Sequence, residues 1–223
     1  MKHFDAVIFD MDGTLLDTER VAQESFLCAC SELAIAPRMD LLLRCVGAAE
    51  PIARKVIQEG YGPGVDTGAL MQAWSRHFDA LSRAAPTPLK EGAIALLDAV
   101  ARLGLPMAVA TSSRTEHART KLRDAGLLER FRTVIGADQV ERPKPDPEVY
   151  LKAAAFLGVE PTACLALEDS EYGVRAAHAA GMTVIQVPDM TEPTADLRKL
   201  GHIVLDSLEE VAGYPFATDG THG

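Results

Sequence analysis

Ala6-Val7-Ile8-Phe9-Asp10-Met11-Asp12-Gly13-Thr14 is the stretch on which the fold turns: a short apolar run delivers two carboxylates to its C-terminal end and stops at a glycine. In an open α/β sheet that end of a strand is where ligands bind. Asp-x-Asp also begins a calcium-binding loop, which needs a preceding helix, glycine at its sixth position and glutamate at its twelfth. Counted from Asp10, those positions hold Leu15 and Val21, so that reading fails. Two solvated aspartates in a turn are what an isolated Asp-x-Asp-Gly usually amounts to. The stronger reading depends on what else converges there.

Working outward, short apolar runs recur at residues 107–110, 134–135, 164–167, 183–187 and 202–205, between longer helical patterns. Such strands alternating with helices predict an α/β fold, a Rossmann-like parallel sheet covered on both faces. Helical stretches at 92–103, 116–125 and 174–180 each run into a glycine, at Gly104, Gly126 and Gly181, the expected C-terminal stop. Residues 16–84 break this rhythm with helical patterns only, and read as an insertion after the first strand. Gly60-Tyr61-Gly62-Pro63-Gly64 within it lacks the preceding strand and the Gly-Lys-Ser/Thr of a phosphate loop, which leaves a helix-to-helix turn. The small, polar residues 217–223 are expected to fray.

At 223 residues the chain fits one domain, or a core with a modest insertion. Its 48 % apolar and 24 % charged residues exclude extensive disorder. With 22 Lys plus Arg against 32 Asp plus Glu, the net charge of −10 is opposite to the footprint of nucleic-acid binding. The longest run free of charged residues, 176–188, is too short to span a bilayer, so no membrane partner is expected. The start Met1-Lys2-His3-Phe4-Asp5 lacks the apolar region of a signal peptide, and a cytoplasmic location is expected. Cys28, Cys30, Cys45 and Cys164 form no Cys-x-x-Cys pair and are expected to be buried or incidental thiols.

Two further strand ends carry polar groups. Met107-Ala-Val-Ala-Thr111-Ser112-Ser113 ends in hydroxyls, which alone are as easily caps of the next helix. No Gly-x-Ser-x-Gly elbow marks a serine nucleophile there. Cys164-Leu-Ala-Leu-Glu168-Asp169-Ser170 ends in adjacent carboxylates, and Arg142-Pro143-Lys144-Pro145-Asp146-Pro147 stiffens a loop around one lysine. If these ends lie side by side, Asp10, Asp12, Glu168 and Asp169 crowd together. Two unit charges about 5 Å apart repel by roughly 3 kcal/mol at an effective dielectric near 20, so the cluster needs a cation, a proton or an ammonium. An all-oxygen set suits Mg²⁺ rather than Zn²⁺, and Lys144 supplies the ammonium. Cation, lysine and hydroxyls together are equipment for phosphoryl transfer.

The four motifs, in this order over residues 4–188, resemble the haloacid dehalogenase superfamily, in its β-phosphoglucomutase-like phosphatase branch with a helical cap. The resemblance implies a core of residues 1–15 and 85–223 and a cap of residues 16–84. It implies that Asp10 is the nucleophile and a metal ligand. Asp12 would be general acid and base and give its main-chain carbonyl to the metal. Thr111 and the Ser112 N–H would hold phosphoryl oxygens, Lys144 would neutralise nucleophile and phosphate, and Glu168 and Asp169 would complete the Mg²⁺ shell. A cis peptide bond at Lys144-Pro145 is expected on the same ground. Asp12 argues against a dehalogenase.

The activity implied is Mg²⁺-dependent hydrolysis of small phosphorylated metabolites, sugar phosphates foremost, by a monomer acting on a small-molecule phosphate ester. A non-catalytic binding protein on this fold would lack the nucleophile or the lysine. A sugar phosphate mutase is the alternative. Mutases of the branch are expected to carry a cap histidine about twelve residues after the nucleophile and an arginine shortly after the cap glycine. Here those positions fall on Ala22 and Glu50, with Arg54 one helical turn further on. Arg54, Lys55, Arg76 and His77 are candidates for substrate contact, against a solvated helix face as the plainer reading.

Overall fold

A computed structural model describes residues 3–214, so the tail expected to fray lies outside the described residues. Six parallel strands form the centre: β1 (Ala6–Phe9), β2 (Met107–Ala110), β3 (Thr133–Ile135), β4 (Cys164–Glu168), β5 (Thr183–Gln186) and β6 (Ile203–Val204). Their order is β3-β2-β1-β4-β5-β6. The register pairs Val7 with Met107 on one side and with Leu165 on the other. The connections leave β1 in opposite directions on its two sides, which opens a crevice at the C-terminal ends of β1 and β4.

Strand side chains alternate between faces, and the helices sort accordingly. Val7 and Phe9 pack with Leu96, Leu97 and Val100 of α5 (Ala93–Arg102), with Ala118 and Leu122 of α6 (Thr115–Asp124) and with Val211 of α10 (Leu208–Ala212). Ala6 and Ile8 face Tyr150 and Ala153 of α7 (Glu148–Leu157), Val174 and Ala177 of α8 (Glu171–Ala179) and Leu197 of α9 (Ala195–Arg198). The expected elements are present with small shifts. β4 runs one residue further, to Glu168, while the run at 202–205 contributes only Ile203–Val204 to the sheet.

The stretch expected to be helical holds α1 (Thr18–Glu32), α2 (Met39–Cys45), α3 (Glu50–Tyr61) and α4 (Thr67–Ala84). Its own apolar cluster of Phe26, Leu41, Leu42, Ile57, Leu70 and Ala73 is separate from the two sheet layers, and Phe26 meets Trp74 edge-on. Gly62–Gly64 is a single 3₁₀ turn between α3 and α4, the helix-to-helix turn expected there. The chain leaves and re-enters the sheet layers at one place: Asp17 N–H donates to Pro88 O, and Lys90 N–H to Leu15 O. No helix among the described residues is long and apolar enough to cross a membrane. The four cysteines are unpaired, and burial pushes Cys45 and Cys164 up to about 12, so both stay thiols.

Candidate active site

The ends of β1, β2 and β4 bring together residues that are up to 159 positions apart, the span from Asp10 to Asp169. Asp10 leaves β1 at 5 % exposure, its N–H held by Leu167 O of the neighbouring strand. Glu168 closes β4, and Asp169 precedes α8. One carboxylate oxygen from each of Asp10, Glu168 and Asp169 lies within 4.8 Å of the others, which makes a buried acidic cluster able to hold a metal ion.

Lys144 reaches this cluster from the proline-rich loop, whose Lys144-Pro145 bond is cis as expected. Glu148 braces that loop by accepting from the Glu141 and Arg142 N–H groups. The ammonium, 2 % exposed, donates to Asp10 Oδ1 and to Glu168 Oε1, both at 2.6 Å. Glu168 Oε1 also accepts from the Tyr150 hydroxyl at 2.5 Å, and Oε2 from the Ser170 hydroxyl at 3.2 Å. Both Glu168 oxygens are therefore engaged. Asp169 differs: Thr14 reaches its Oδ1 at 3.4 Å, while Oδ2 is buried without a hydrogen-bond partner.

Burial pushes Asp10 well above the usual carboxylate range, against the pull of Lys144 and with the push of Glu168 and Asp12. Asp169 is raised by burial, then by Asp10 and Glu168. Burial would lower Lys144, but its attraction to Asp10 and Glu168 outweighs that and keeps it charged. An orphaned carboxylate oxygen, two raised carboxyls and an all-oxygen donor set together fit a hard divalent cation.

Thr111, Ser112 and Ser113 do not cap α6, whose N-cap is Arg114 without a side-chain bond. They turn inward instead. Thr111 and Ser113 hydroxyls donate to Asp12 Oδ2 at 3.3 and 2.7 Å, and Ser112 Oγ donates to Gly47 O at 2.8 Å, tying the helical segment to the β2 end. Asp12 Oδ1 accepts from Lys121 Nζ at 2.8 Å. Burial alone would raise Asp12, but Lys121 with Ser113 brings it below the usual range.

Several participants carry no motif. Lys121 and Tyr150 sit in ordinary amphipathic helices, and the only signal is their place on the buried face, Lys121 being three residues after buried Ala118. Glu19 of α1 is buried beside the site. Burial first, then Asp12 and Asp189, lift it to about 7. Glycines from three places face the β4 end in turn: a Cβ on Gly173 would collide with Glu168, on Gly13 with Asp169, and on Gly47 with Ser170. Gly13 and Gly47 also have positive φ, 83° and 71°. Arg54, Lys55, Arg76 and His77 lie outside this hydrogen-bond network and pair with Glu50, Glu59 and Glu32 within the helical segment.

The sequence model for haloacid dehalogenase-like hydrolases matches residues 7–187. The chain is 33 % identical over 198 residues to protein CbbY of Rhodobacter capsulatus, covering 82 % of this chain and 85 % of that one. It is 30 % identical over 188 residues to the fructose-1-phosphate phosphatase YqaB of Escherichia coli, covering 83 % and 97 %. Among solved structures it resembles CbbY of Rhodobacter sphaeroides in complex with xylulose-1,5-bisphosphate. That match has TM-score 0.74, 28 % identity, and covers 93 % of this chain and 96 % of that one.

Proposed function

The chain belongs to the haloacid dehalogenase-like hydrolases and is a phosphatase of that family, and from this premise we propose a Mg²⁺-dependent phosphohydrolase of small sugar phosphates that works through an aspartyl-phosphate on Asp10. The observation that carries the reading is Asp10 itself. It is buried, ion-paired to Lys144 at 2.6 Å, and shares with Glu168 and Asp169 the cluster at the strand ends in which Asp169 Oδ2 has no hydrogen-bond partner.

In the first half-reaction an Asp10 oxygen forms a bond to phosphorus, the ester P–O bond breaks, and Asp12, ionised beside Lys121 in the free protein and protonated as the phosphate dianion enters, gives that proton to the departing alkoxide. In the second, a water oxygen bonds to phosphorus while Asp12 takes its proton, and the bond to Asp10 breaks to free inorganic phosphate. Lys144 neutralises Asp10 and the phosphoryl group throughout, and Thr111 with the Ser112 N–H holds phosphoryl oxygens. Asp10, Glu168, Asp169 and the Asp12 main-chain carbonyl would hold Mg²⁺. When bound, the ion screens the charge of nucleophile and phosphate. Since both Glu168 oxygens are engaged, its further part is to fix Lys144.

Residues 16–84 act as a cap over residues 1–15 and 85–223, with Gly47 meeting Ser112 at the seam. Hydrolysis is favoured over the mutase because Arg54 is committed to Glu50 at 2.8 Å and Ala22 offers only a main-chain oxygen, to Trp74. A grip on a second phosphate needs a cation at those two positions, and neither Ala22 nor the paired Arg54 presents one. The buried thiols suit a reducing cytoplasm. The exposed large apolar residues are spread over α1, α2, α5 and α7, as on a monomer.

The test is a panel of phosphorylated metabolites incubated with the pure protein and Mg²⁺, with phosphate release measured. Release that is abolished by Asp10→Asn is expected. Isomerisation of β-glucose 1-phosphate with little phosphate release, in the presence of a bisphosphate primer, would overturn the reading.

A further inference from the structure

Lys121 is a cation for which the reaction as assigned has no role. It lies on α6, and its Nζ stands 2.8 Å from Asp12 Oδ1, with side chains 16 % and 21 % exposed. On its other side the ammonium sits 4.9 Å from the centroid of the Phe78 ring, on α4 of the helical segment. The second oxygen of Asp12 accepts from Ser113 and Thr111. Both ends of this carboxylate are thus held by one strand-loop-helix unit, β2 through α6.

Asp12 stands on the loop that leaves β1, where a carboxylate free to rotate would spend part of its time turned away from the phosphorus. Misplacing a catalytic group by about 1 Å costs on the order of 100-fold. We propose that Lys121 is a positioning residue for Asp12: it fixes Oδ1 while Ser113 fixes Oδ2, and so sets where the proton is given and taken. This rests on the role assigned to Asp12 above. Phe78 shelters the ammonium from the helical side, which makes the placement of the acid-base group depend on where α4 sits as well as on the sheet. A lysine serving as a direct grip for the substrate would predict a different pattern of kinetics.

The experiment compares wild type, Asp12→Ala, Lys121→Met, Lys121→Arg and the double variant Asp12→Ala/Lys121→Met on one hydrolysed sugar phosphate, alongside thermal unfolding. Lys121→Met is expected to lower kcat by roughly 10- to 100-fold with KM within about threefold, and Lys121→Arg to recover most of the loss. With Asp12 already removed, Lys121→Met should cost nothing further, because a residue that acts through another has no separate contribution. A raised KM at unchanged kcat, a further loss in the double variant, or a Lys121→Met indistinguishable from wild type would each overturn the proposal. Should Lys121→Met fail to fold, Phe78→Leu carries the test: a kcat about two- to fivefold lower at constant KM supports it, and an unchanged kcat defeats it. Wild-type activity indifferent to Asp12→Ala would instead defeat the reading of Asp12, a failure visible before any Lys121 variant is examined.

Discussion

At the ends of β1 and β4, Lys144 joins Asp10 and Glu168 through side chains 2 %, 7 % and 0 % exposed. On the helical segment, Arg54–Glu50, Lys55–Glu59 and Arg76–Glu32 make pairs whose side chains are 39–74 % exposed. The chemistry of the pairs is the same and the surroundings are opposite. In water a pair gains about 0–1 kcal/mol and is screened by salt. In the interior each ion loses several kcal/mol of hydration, which only close, fully bonded geometry recovers. A fold gains little stability from the inner arrangement, so its presence points to chemistry. The outer pairs, worth so little and so exposed, carry no such message.

The sharpest way to break this comparison is at its centre. Asp10→Asn should lower turnover by several orders of magnitude with the fold intact, since Glu168 still pairs with Lys144. Residual activity within about tenfold of wild type would remove Asp10 as nucleophile. Lys144→Met leaves two buried carboxylates facing each other, and should cost about 3–5 kcal/mol in chemical denaturation besides abolishing turnover. A loss below about 1 kcal/mol would mean that the inner network is no more demanding than the outer one.

Glu19 tests the border between the two regions, because it belongs to the helical segment and is buried. Its folded pKa of about 7 lies above the model-peptide 4.5, so the native state favours the protonated form. That contribution is present below pH 4.5 and is lost as pH rises toward 7. Glu19→Gln should therefore match wild type near pH 4.5 and exceed it by up to about 3 kcal/mol at pH 8, read from unfolding at both pH values. A constant difference across that range would refute it. The smallest effect is expected outside: Arg54→Ala should change stability by less than about 0.5 kcal/mol and leave KM unaltered, whereas a several-fold rise in KM would place Arg54 in contact with substrate.

What could be read ahead from the residues followed locality. An apolar run of four, two carboxylates and a glycine lie next to each other, so the strand and its cargo are visible together. The proline-flanked Lys144 was legible for the same reason. Hydroxyls after β2 were ambiguous because capping a helix and binding Asp12 need the same residue types; only the fold shows that Arg114, and no hydroxyl, stands at the N-cap. Lys121 and Tyr150 were not legible. Each is one polar tip on an amphipathic helix, and its partner lies 109 residues away for Lys121 and 18 for Tyr150. A charged residue on the apolar face of α6 was the one hint, and it names no partner. Glu19 was hidden likewise, since its burial depends on α1 docking against the sheet ends.

The glycines facing the β4 end bear on how this protein would look in a saturation scan read by activity. Positions 13, 47 and 173 have no side chain to offer a substrate, yet a methyl group at any of them would collide with Asp169, Ser170 or Glu168. They should score as dead as Asp10, and a ranking by activity alone would place them among the reacting groups. Pairing the scan with a folding reporter would separate the two sets: Asp10→Asn stays folded and silent, whereas a side chain at 173 displaces a packed carboxylate and lowers the yield of folded protein. The intolerant sites of this crevice thus record two kinds of constraint, one on electrons and one on empty space.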